Sequence, residues 1–328
     1  MGIIKEKRKI KKILKKSKTV FLMAHKNLDL DALGSCIGMY LILKSQRKKC
    51  YIIIDDKNHE PGVEKILIEL DGCINKIKSS DIDQYINKKN HKNLLVILDT
   101  NKKELVQNEE LLTTFENKLI IDHHELGKTT IKDCTIINDT TVSSTCEMIT
   151  ELLDDYDIEI EPYYATILLS GIVLDTNNFT LKTTAETFYT AYYLTSLGAS
   201  AKKVQYLLKQ DIEDFTERQK LFADIETING KIAFTKATPY SLYRREDLAK
   251  VADTLLFFNN IEASFVIGKI GKDTIGISAR SLGNYDINKL LSKLGGGGDA
   301  YNGAATFEKT TISKVEQKLK QLIKEDSE

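Results

Sequence analysis

Short apolar runs that end in acidic or imidazole side chains constrain the fold of this chain more than any other feature. Each run has the length of a buried strand or a short helix, and residues that can bind a metal ion follow at once. The runs are 20–23 before His25, Asp29 and Asp31, 94–98 before Asp99, 119–121 before Asp122, His123 and His124, and 167–174 before Asp175. Because open α/β sheets bind ligands at the carboxyl ends of their strands, these clusters predict one shared site.

Apolar runs alternate with helical patterns from residue 19 to about residue 174, which is typical of a mostly parallel sheet with helices on both faces. We predict strands over 20–24, 51–54, 94–98, 118–121 and 135–137, and helices over 32–44, 62–70, 143–153 and 162–174. Gly34, Ser35 and Gly38 are small residues on one side of the 32–44 helix, and we expect them to let it lie close to the sheet. The fold class of this part is therefore α/β.

The predicted elements change from helices to a mixture of strands and helices after Asn229 and Gly230, which predicts a second and smaller domain of the α+β class. We predict helices over 187–197, 201–209 and 212–225 before this change. After it we predict strands over 232–235, 263–267 and 274–279, and helices over 246–258, 287–294 and 312–323. The chain would then consist of a first domain over 1–190, a helical linker over 191–228 and a second domain over 229–328.

Composition and charge exclude several classes of protein. The chain has 47 Lys and Arg against 47 Asp and Glu, so no net charge favours a long nucleic-acid partner. No apolar run reaches the roughly 18–20 residues that a transmembrane helix needs, and the five cysteines show no disulfide or zinc spacing. We therefore expect a cytoplasmic protein. Apolar residues interleave at roughly helical spacing with the basic residues between Lys5 and Lys18, which we interpret as an N-terminal helix with a solvated basic face. The alternative is an arm that binds a membrane surface or nucleic acid.

The side chains of the shared site favour a pair of divalent cations. Four carboxylates beside two imidazoles would repel one another without cations between them. Oxygen and nitrogen ligands without thiolate suit Mn²⁺ or Fe²⁺, although a suitable geometry also admits Zn²⁺ or Co²⁺. Two such ions about 3.5–4 Å apart are a standard apparatus for the hydrolysis of phosphate esters. Asp99, at the end of a central strand, is our candidate for the ligand that bridges them.

Residues of the second domain have the chemistry of a phosphate-binding site. Arg280 and Ser281 end a predicted strand, and a guanidinium binds phosphate through two parallel hydrogen bonds. Consecutive glycines let backbone N–H groups approach an anion closely. The glycine run consists of Gly295, Gly296, Gly297 and Gly298, and Asp299 follows it. Beside a two-metal centre, these features indicate substrate binding.

The motifs of this chain resemble those of the DHH phosphoesterase family with its DHH-associated C-terminal domain. The matching segments are 25–35 (HKNLDLDALGS), 99–101 (DTN), 122–124 (DHH), 171–176 (GIVLDT), 278–281 (SARS), and 295–298 (GGGG) with 304–306 (AAT). They span nearly the whole chain, and within the family they are most similar to the catalytic part of cyclic di-AMP phosphodiesterases of the GdpP type. Those proteins carry transmembrane, PAS and degenerate GGDEF segments ahead of the catalytic part, so we expect a stand-alone soluble form.

This resemblance implies two sets of metal ligands. His25, Asp29 and Asp99 would hold one Mn²⁺ ion. The second Mn²⁺ ion would be held by Asp31, Asp99, His123 and Asp175. The first domain would thus be the metal-binding, catalytic domain of the protein.

The resemblance also implies roles for the residues that meet the substrate. His124, Asp99 and Arg280 would be the catalytic residues, with His124 near the substrate phosphate and Asp122 supporting it. The substrate would lie in the cleft between the two domains, bound by Arg280, Ser281 and residues 295–299. The family has a histidine after the glycine run, where this chain has Asp299, and this difference bears on substrate preference.

These implications predict a Mn²⁺-dependent phosphodiesterase that hydrolyses cyclic di-AMP to pApA, and in a second round to AMP, by attack of a hydroxide held between two metal ions. The main alternative is a nano-RNase or pAp phosphatase, which would act on short linear nucleotides with the same metal centre. A nucleotide-binding sensor without turnover is an alternative from another class, which the complete set of metal ligands disfavours. The sequence is compatible with a homo-oligomer.

Overall fold

The chain folds into two compact units, Met1–Lys209 and Gln210–Glu328. This computed structural model describes residues 2–55, 59–87, 90–298 and 300–327. Among these residues, no helix is both long and apolar enough to cross a lipid bilayer. The predicted bounds of the three parts of the chain, at 190 and 228, stay a prediction.

A parallel sheet organises the first unit. Its strands are β1 (Thr19–Met23), β2 (Lys49–Ile53), β3 (Lys76–Ile77), β4 (Asn93–Leu98), β5 (Lys118–Asp122) and β6 (Thr135–Asn138). Their order is β3-β2-β1-β4-β5-β6, and every pairing is parallel. The chain first builds the sheet outward from β1 and then returns to the other side of β1. The carboxyl ends of β1 and β4 therefore flank a topological switch point, where sheets of this kind bind their ligands.

Helices cover the sheet of the first unit. They are α1 (Gly2–Lys16), α2 (Leu30–Ser45), α3 (Pro61–Glu69), α4 (Leu111–Thr114), α5 (Thr145–Asp155), α6 (Pro162–Asp175), α7 (Ala185–Ser196) and α8 (Ala201–Leu207), with short 3₁₀ helices at Ser79–Gln84 and Asn90–Lys92. Successive side chains of a strand point to opposite faces. Val20 and Leu22 accordingly join one apolar core, which includes α2, α5 and α6, while Phe21 and Met23 join a second core on the other face.

The glycines of α2 face neighbouring helices, while other residues of α2 contact the sheet at β1 and β2. A Cβ atom added at Gly34 would lie 2.6 Å from Sγ of Cys146 in α5, and one at Gly38 would lie 2.5 Å from Cγ2 of Ile149 in the same helix. The expectation that these glycines face the sheet was therefore wrong. They allow α5 to approach α2 closely, and this contact places the beginning of α5 beside the beginning of α2.

The second unit contains a mixed sheet and four helices among its described residues. The strands are β7 (Glu226–Ile228), β8 (Ile232–Lys236), β9 (Ala263–Gly271), β10 (Thr274–Ser281), β11 (Gly297–Gly298) and β12 (Asn302–Glu308), in the order β11-β12-β10-β9-β8-β7. The helices are α9 (Ile212–Gln219), α10 (Arg245–Leu255), α11 (Ile287–Ser292) and α12 (Ile312–Ser327), with a 3₁₀ helix at Lys220–Phe222. Only β8 and β9 pair in parallel, and α10 packs on β9 and β10.

The predicted fold class is confirmed: a parallel α/β sheet is followed by a smaller α+β unit. The pattern did not predict β3, β7, β11 or β12. The two-residue strands β3 and β11 are too short for a periodic signal, and β12 is rich in Gly and Ala, which are depleted in strands. The helix predicted over 212–225 ends at Gln219, and a 3₁₀ helix follows it.

Candidate metal centre

The polar clusters that follow the apolar runs lie together at the carboxyl edge of the parallel sheet. His25 follows β1, Asp29 and Asp31 lie at the beginning of α2, Asp99 follows β4, Asp122 ends β5, His123 and His124 follow it, and Asp175 ends α6. Strands β1, β4 and β5 are neighbours in register, so the residues after them emerge at one edge. Asp175 reaches the same place from a helix.

Asp99 lies at the centre of this arrangement. Its Oδ2 is 3.4 Å from Nε2 of His25, and its Oδ1 is 3.6 Å from Nε2 of His123. Thr145, the first residue of α5, donates its hydroxyl to the same Oδ1 at 2.9 Å. The residue is 2% exposed and has a φ of +61°, a left-handed conformation that costs a non-glycine residue energy and is concentrated at functional sites. The two carboxylate oxygens of Asp99 therefore face two different imidazoles.

Two separate groups of three side chains have the geometry of a metal site. His25, Asp29 and Asp99 form one group, and a second consists of Asp31, His123 and Asp175. Within each group, one potential ligand atom from every residue lies within 4.8 Å of the others. A third such group, Asp99 with His123 and His124, overlaps both. Among the described residues, the structure thus brings together all six candidate metal ligands.

The imidazole of His25 has the tautomer that a metal ligand needs. Its Nδ1 lies 2.7 Å from the backbone oxygen of Lys26, and since a carbonyl oxygen only accepts, Nδ1 carries the proton. In the neutral ring the lone pair of Nε2 is then directed to Asp29 and Asp99, at 3.5 and 3.4 Å. Asp29 is also the N-cap of α2, and its Oδ1 accepts from the backbone N–H of Ala32.

Asp31 is held at the N-terminus of α5. Its Oδ2 accepts from the N–H of Thr145 at 2.8 Å, and its Oδ1 accepts from the N–H of Cys146 at 2.7 Å. These N–H groups belong to the first turn of α5 and have no acceptor within the helix itself. The helix dipole favours negative charge at this end. Thr145 and Cys146 are positioning residues that the sequence did not reveal. The sequence marks them only indirectly, because Ser144 is the N-cap of α5 and accepts from the N–H of Glu147, which places Thr145 and Cys146 in the first turn of the helix.

The electrostatics of the cluster match a site for cations. Burial raises the pKa values of Asp31 and Asp175, and nearby carboxylates, Asp99 among them, add to the rise. Burial opposes ionisation of Asp29 as well, but His25 outweighs it and lowers the pKa of Asp29 to about 2. Burial disfavours the charged form of His25, yet Asp29 and Asp99 raise its pKa well above the ordinary value. Negative charge here exceeds what the imidazoles compensate.

His123 gives a direct test of whether a metal ion fits. Both ring nitrogens are buried and make no hydrogen bond to any residue that the structure describes. The Nε2 atom lies 3.2 Å from Oδ2 of Asp175, but without hydrogen-bond geometry. Buried polar atoms are rarely left without a partner. A cation between the imidazole and the carboxylates would satisfy both, so the residues fit a metal site.

His124 is oriented by Asp122. The Nδ1 atom of His124 lies 2.8 Å from Oδ1 of Asp122, which also accepts from the backbone N–H groups of His123 and His124. Asn101 donates its amide to Oδ2 of the same carboxylate, a supporting role that the sequence did not reveal. Desolvation by the surrounding protein disfavours the charged form of His124, although half of its side-chain surface is exposed, but the bond to Asp122 and the neighbouring carboxylates raise its pKa to about 9. Without bound cations, His124 is therefore protonated at neutral pH and held in a fixed orientation.

A cavity of about 240 Å³ opens onto this centre. Five of its lining residues are His25, Asp29, Asp99, His124 and Asp175, and the others are Thr100, Asn101, Lys102 and Leu105. The side chain of His124 is 49% exposed, in contrast to that of His123, which is 3% exposed. His123 can therefore serve the buried centre, while His124 can meet a bound molecule.

In the second unit, Arg280 lies on β10 and is already partnered. Its Nε donates to Oδ1 of Asp253 in α10 at 2.6 Å, and its Nη1 donates to the backbone oxygen of Ala279 at 3.0 Å. Ser281 is buried, and its hydroxyl oxygen accepts from the N–H groups of Gly283 and Tyr285. That hydroxyl therefore organises the turn after β10.

The glycine run is part of the second sheet. Gly297 and Gly298 form the edge strand β11, which pairs with β12. A Cβ atom at Gly296 would collide with the backbone oxygen of Ala304, and one at Gly298 with that of Asn302. The close approach of two backbones therefore requires glycine at these positions. Asp299, predicted to bind substrate, lies outside the described residues.

Comparison with known proteins decides the family. Residues 19–172 match the DHH family, N-terminal domain, and residues 229–325 match the DHHA1 domain. The chain belongs to the DHH family. Its family resemblance, predicted from six short motifs, is thereby confirmed.

Relatives of this DHH-family chain include named phosphodiesterases. It is 36% identical over 315 residues to "Cyclic-di-AMP phosphodiesterase PdeA" of Listeria monocytogenes, a match that covers 94% of this chain and 48% of that protein. It is 34% identical over 324 residues to "Cyclic-di-AMP phosphodiesterase GdpP" of Geobacillus thermodenitrificans, covering 96% of this chain and 48% of the relative. The chain spans about half the length of these curated relatives.

The fold of the DHH-family chain also resembles a solved structure. An exopolyphosphatase-related protein from Bacteroides fragilis superimposes with a TM-score of 0.77 over 98% of this chain and 96% of that one. The sequence identity is 19%, so this likeness supports the fold alone.

Proposed function

We propose that this chain is a Mn²⁺-dependent phosphodiesterase that hydrolyses cyclic di-AMP to pApA and, in a second round, to AMP. The observation that carries the proposal is the position of Asp99, whose two carboxylate oxygens face two separate groups of potential ligands. This is the arrangement expected of a carboxylate that bridges two cations. Two relatives that are 36% and 34% identical to this chain are named cyclic-di-AMP phosphodiesterases, which supports cyclic di-AMP as the substrate.

The proposed ligand sets follow the two groups of side chains. His25, Asp29 and Asp99 would hold one Mn²⁺ ion. Asp31, Asp99, His123 and Asp175 would hold the other. Carboxylate and imidazole ligands without thiolate suit Mn²⁺, and Cys146, the cysteine nearest to Asp31, donates its thiol to a backbone oxygen instead. When bound, such ions polarise the phosphoryl group and lower the pKa of a coordinated water.

The side chains around the ions would orient the substrate and transfer protons. His124, fixed by Asp122, would donate a hydrogen bond to the substrate phosphate and, in its protonated form, a proton to the departing 3′ oxygen. Thr145 would hold Asp99 in place through Oδ1. The buried backbone donors of α5 would orient Asp31 and stabilise its charged form, against the burial and the neighbouring carboxylates that raise its pKa.

The second unit would bind the nucleotide. We propose that Arg280 contacts a substrate phosphate, which its guanidinium can do through N–H groups that remain available. Ser281, the glycines over 295–298 and Asp299 would complete this binding surface. A cleft between the two domains as the place of binding stays a prediction, as does assembly into a homo-oligomer.

Parallel turnover assays test the proposed function. Cyclic di-AMP, pApA and pAp would be incubated separately with Mn²⁺, with a chelator, and with the variant Asp99→Asn. We expect cleavage of cyclic di-AMP to pApA in the Mn²⁺ sample alone. Preferred cleavage of pAp or pApA would support the nano-RNase or pAp phosphatase alternative, and binding without cleavage would support a nucleotide sensor. Either result would overturn the proposal.

A further inference from the structure

Asp253 is the residue in the second unit that determines the orientation of Arg280. The Nε atom of Arg280 donates to Oδ1 of Asp253 at 2.6 Å, a short bond of the charge-assisted kind. The side chains of Arg280 and Asp253 are 17% and 26% exposed, so this pair is mostly shielded from solvent. Burial raises the pKa of Asp253, and Arg280 opposes this rise by stabilising the charged form.

The fold fixes where Asp253 lies. Arg280 on β10 is directly opposite Ser264 on β9 in the antiparallel register. The hydroxyl of Ser264 donates to the backbone oxygen of Ala252 at 2.7 Å, which attaches α10 to the sheet one residue before Asp253. Leu248, Ala252 and Leu255 of α10 are buried in the core of the unit. The carboxylate is thus brought to Arg280 by a rigid helix and not by a loop.

The hydrogen bonds of the guanidinium leave one side free. A guanidinium has five N–H donors. Nε is taken by Asp253, and Nη1 donates to the hydroxyl of Ser278 at 3.3 Å and to the backbone oxygen of Ala279 at 3.0 Å. Nη2 makes no hydrogen bond to any residue that the structure describes. Within the described part of the chain, the planar group is therefore held by three bonds, and the two donors on Nη2 have no partner.

We propose that Asp253 is a positioning residue, which holds the guanidinium of Arg280 so that Nη2 faces the phosphate of a bound nucleotide. The inference rests on the proposed function in one respect, because it takes Arg280 as the residue that contacts substrate. A lone arginine side chain has many rotamers, and holding it in the binding orientation before the substrate arrives lowers the entropy lost on binding. Asp253 would act on substrate affinity through Arg280 and not by touching the substrate.

A double-mutant cycle distinguishes this role from a structural one. KM for cyclic di-AMP would be measured in Asp253→Ala, in Arg280→Ala and in the double variant. We expect Asp253→Ala to raise KM on the order of ten-fold, the scale for partners that orient a functional side chain, with bound Mn²⁺ unchanged. In the Arg280→Ala background the same substitution should have no further effect. Asp253→Asn, which keeps the acceptor oxygen, should recover part of the loss.

Asp247 offers a matched control on the same helix. It is buried and accepts from Nη1 of Arg218 and from Nε of Arg244, so Asp247→Ala also removes a paired carboxylate from α10. We expect this variant to lose stability but to keep the KM of the wild type. If Asp247→Ala and Asp253→Ala raise KM equally, or if Asp253→Ala acts fully without Arg280, the positioning role is wrong.

A binding measurement keeps the inference testable whether or not cyclic di-AMP is cleaved. The ¹⁵N signals of the Arg280 guanidinium would be followed while AMP is added to the metal-free protein. We expect the Nη2 signal to shift in the wild type and Asp247→Ala, and to respond weakly in Asp253→Ala. An Arg280 signal that does not respond in the wild type would overturn the inference. Failure of the proposed function would appear differently, as a responding Arg280 in a protein that cleaves none of the nucleotides.

Discussion

The metal centre of the first unit and the phosphate-binding surface predicted for the second unit differ in how their charged groups are compensated. In the first unit, four carboxylates lie close together, and the pKa values of Asp31 and Asp175 are raised by burial and by nearby carboxylates, Asp99 among them. In the second unit, two carboxylates of α10 are paired with arginines. Arg280 bonds Asp253, and Asp247 accepts from two arginines.

This difference shows what kind of evidence each site can offer. An excess of like charge in a buried place costs stability, so its presence points to a cation that compensates it. A paired arginine does not by itself indicate a ligand, because salt bridges also occur for structural reasons. The second region is informative only through the donors that its pairing leaves unused, which are those on Nη2 of Arg280.

The largest expected effect comes from the residue at the centre of the first region. Asp99→Asn keeps the shape of the side chain but removes the charge that faces both ligand groups. We expect kcat for cyclic di-AMP to fall by at least about 10²–10³-fold, the scale for loss of one group that stabilises transition-state charge. Elemental analysis should show less bound Mn²⁺. Asp83→Asn, at an exposed position, is the control, and near-full activity of Asp99→Asn would refute the two-metal interpretation.

Metal removal should affect the stability of the two units unequally. Mn²⁺ at 100 times its dissociation constant would stabilise the folded state by about 2.7 kcal/mol. Hydrogen exchange should therefore become faster on chelation in β1, β4, β5 and the first turn of α5, and stay unchanged in β9 and β10. Asp175→Asn removes one of the carboxylates that repel one another, so the metal-free variant should be more stable than the metal-free wild type. Mn²⁺ should then add less to the free energy of unfolding. Equal effects in both units would contradict the contrast between them.

Arg280→Ala tests the second region. Loss of a charged hydrogen bond costs about 1.5–3 kcal/mol, so kcat/KM should fall about 10- to 150-fold. Bound Mn²⁺ should not change, since the candidate metal ligands found among the described residues belong to the first unit. A variant that loses manganese would show that Arg280 has been assigned to the wrong part of the site.

The titration of His124 in the metal-free protein tests how Asp122 acts on it. Burial disfavours the charged ring, but without bound cations the bond to Asp122 and the neighbouring carboxylates raise the pKa of His124 to about 9. We expect its ring signals in an NMR titration to change as the pH rises through about 9. Asp122→Asn removes the charge that stabilises the imidazolium, so the midpoint should move towards the ordinary histidine value of about 6.5. A midpoint that stays near pH 9 in this variant would mean that the other carboxylates, and not Asp122, raise this pKa.

The smallest expected effect concerns Asp299, whose role rests on the sequence alone. A carboxylate after the glycine run should repel the terminal phosphate of pApA, and a histidine would bind it. A penalty of about one kcal/mol corresponds to a several-fold preference for the cyclic substrate. We expect Asp299→His to raise kcat/KM for pApA relative to cyclic di-AMP. An unchanged ratio, measured at one pH and one Mn²⁺ concentration, would show that this position does not meet the terminal phosphate.

The sequence by itself determined five strands of the first unit, all those described except β3, and the residues at their ends. Runs such as 94–98 have strand length and full apolarity, and a polar residue after such a run has to emerge at the edge of the sheet. The candidate metal ligands that follow β1, β4 and β5 were found in this way, because the signal is local. Asp175 was found at the end of an apolar run that forms the helix α6. The helix predicted over 143–153 likewise begins within two residues of α5, since a helix N-cap such as Ser144 is a property of a few consecutive residues.

Only the tertiary structure decided which distant groups complete the sites. Thr145 and Cys146 bond Asp31 from 114 and 115 positions along the chain, and this contact depends on the close packing of α2 and α5 at Gly34 and Gly38. Asp253 meets Arg280 because α10 is attached to β9 through Ser264. No period or motif in the sequence encodes such pairs, since each depends on how whole elements pack. The sequence therefore determined the residues that could bind metal, and the packing determined how they are oriented.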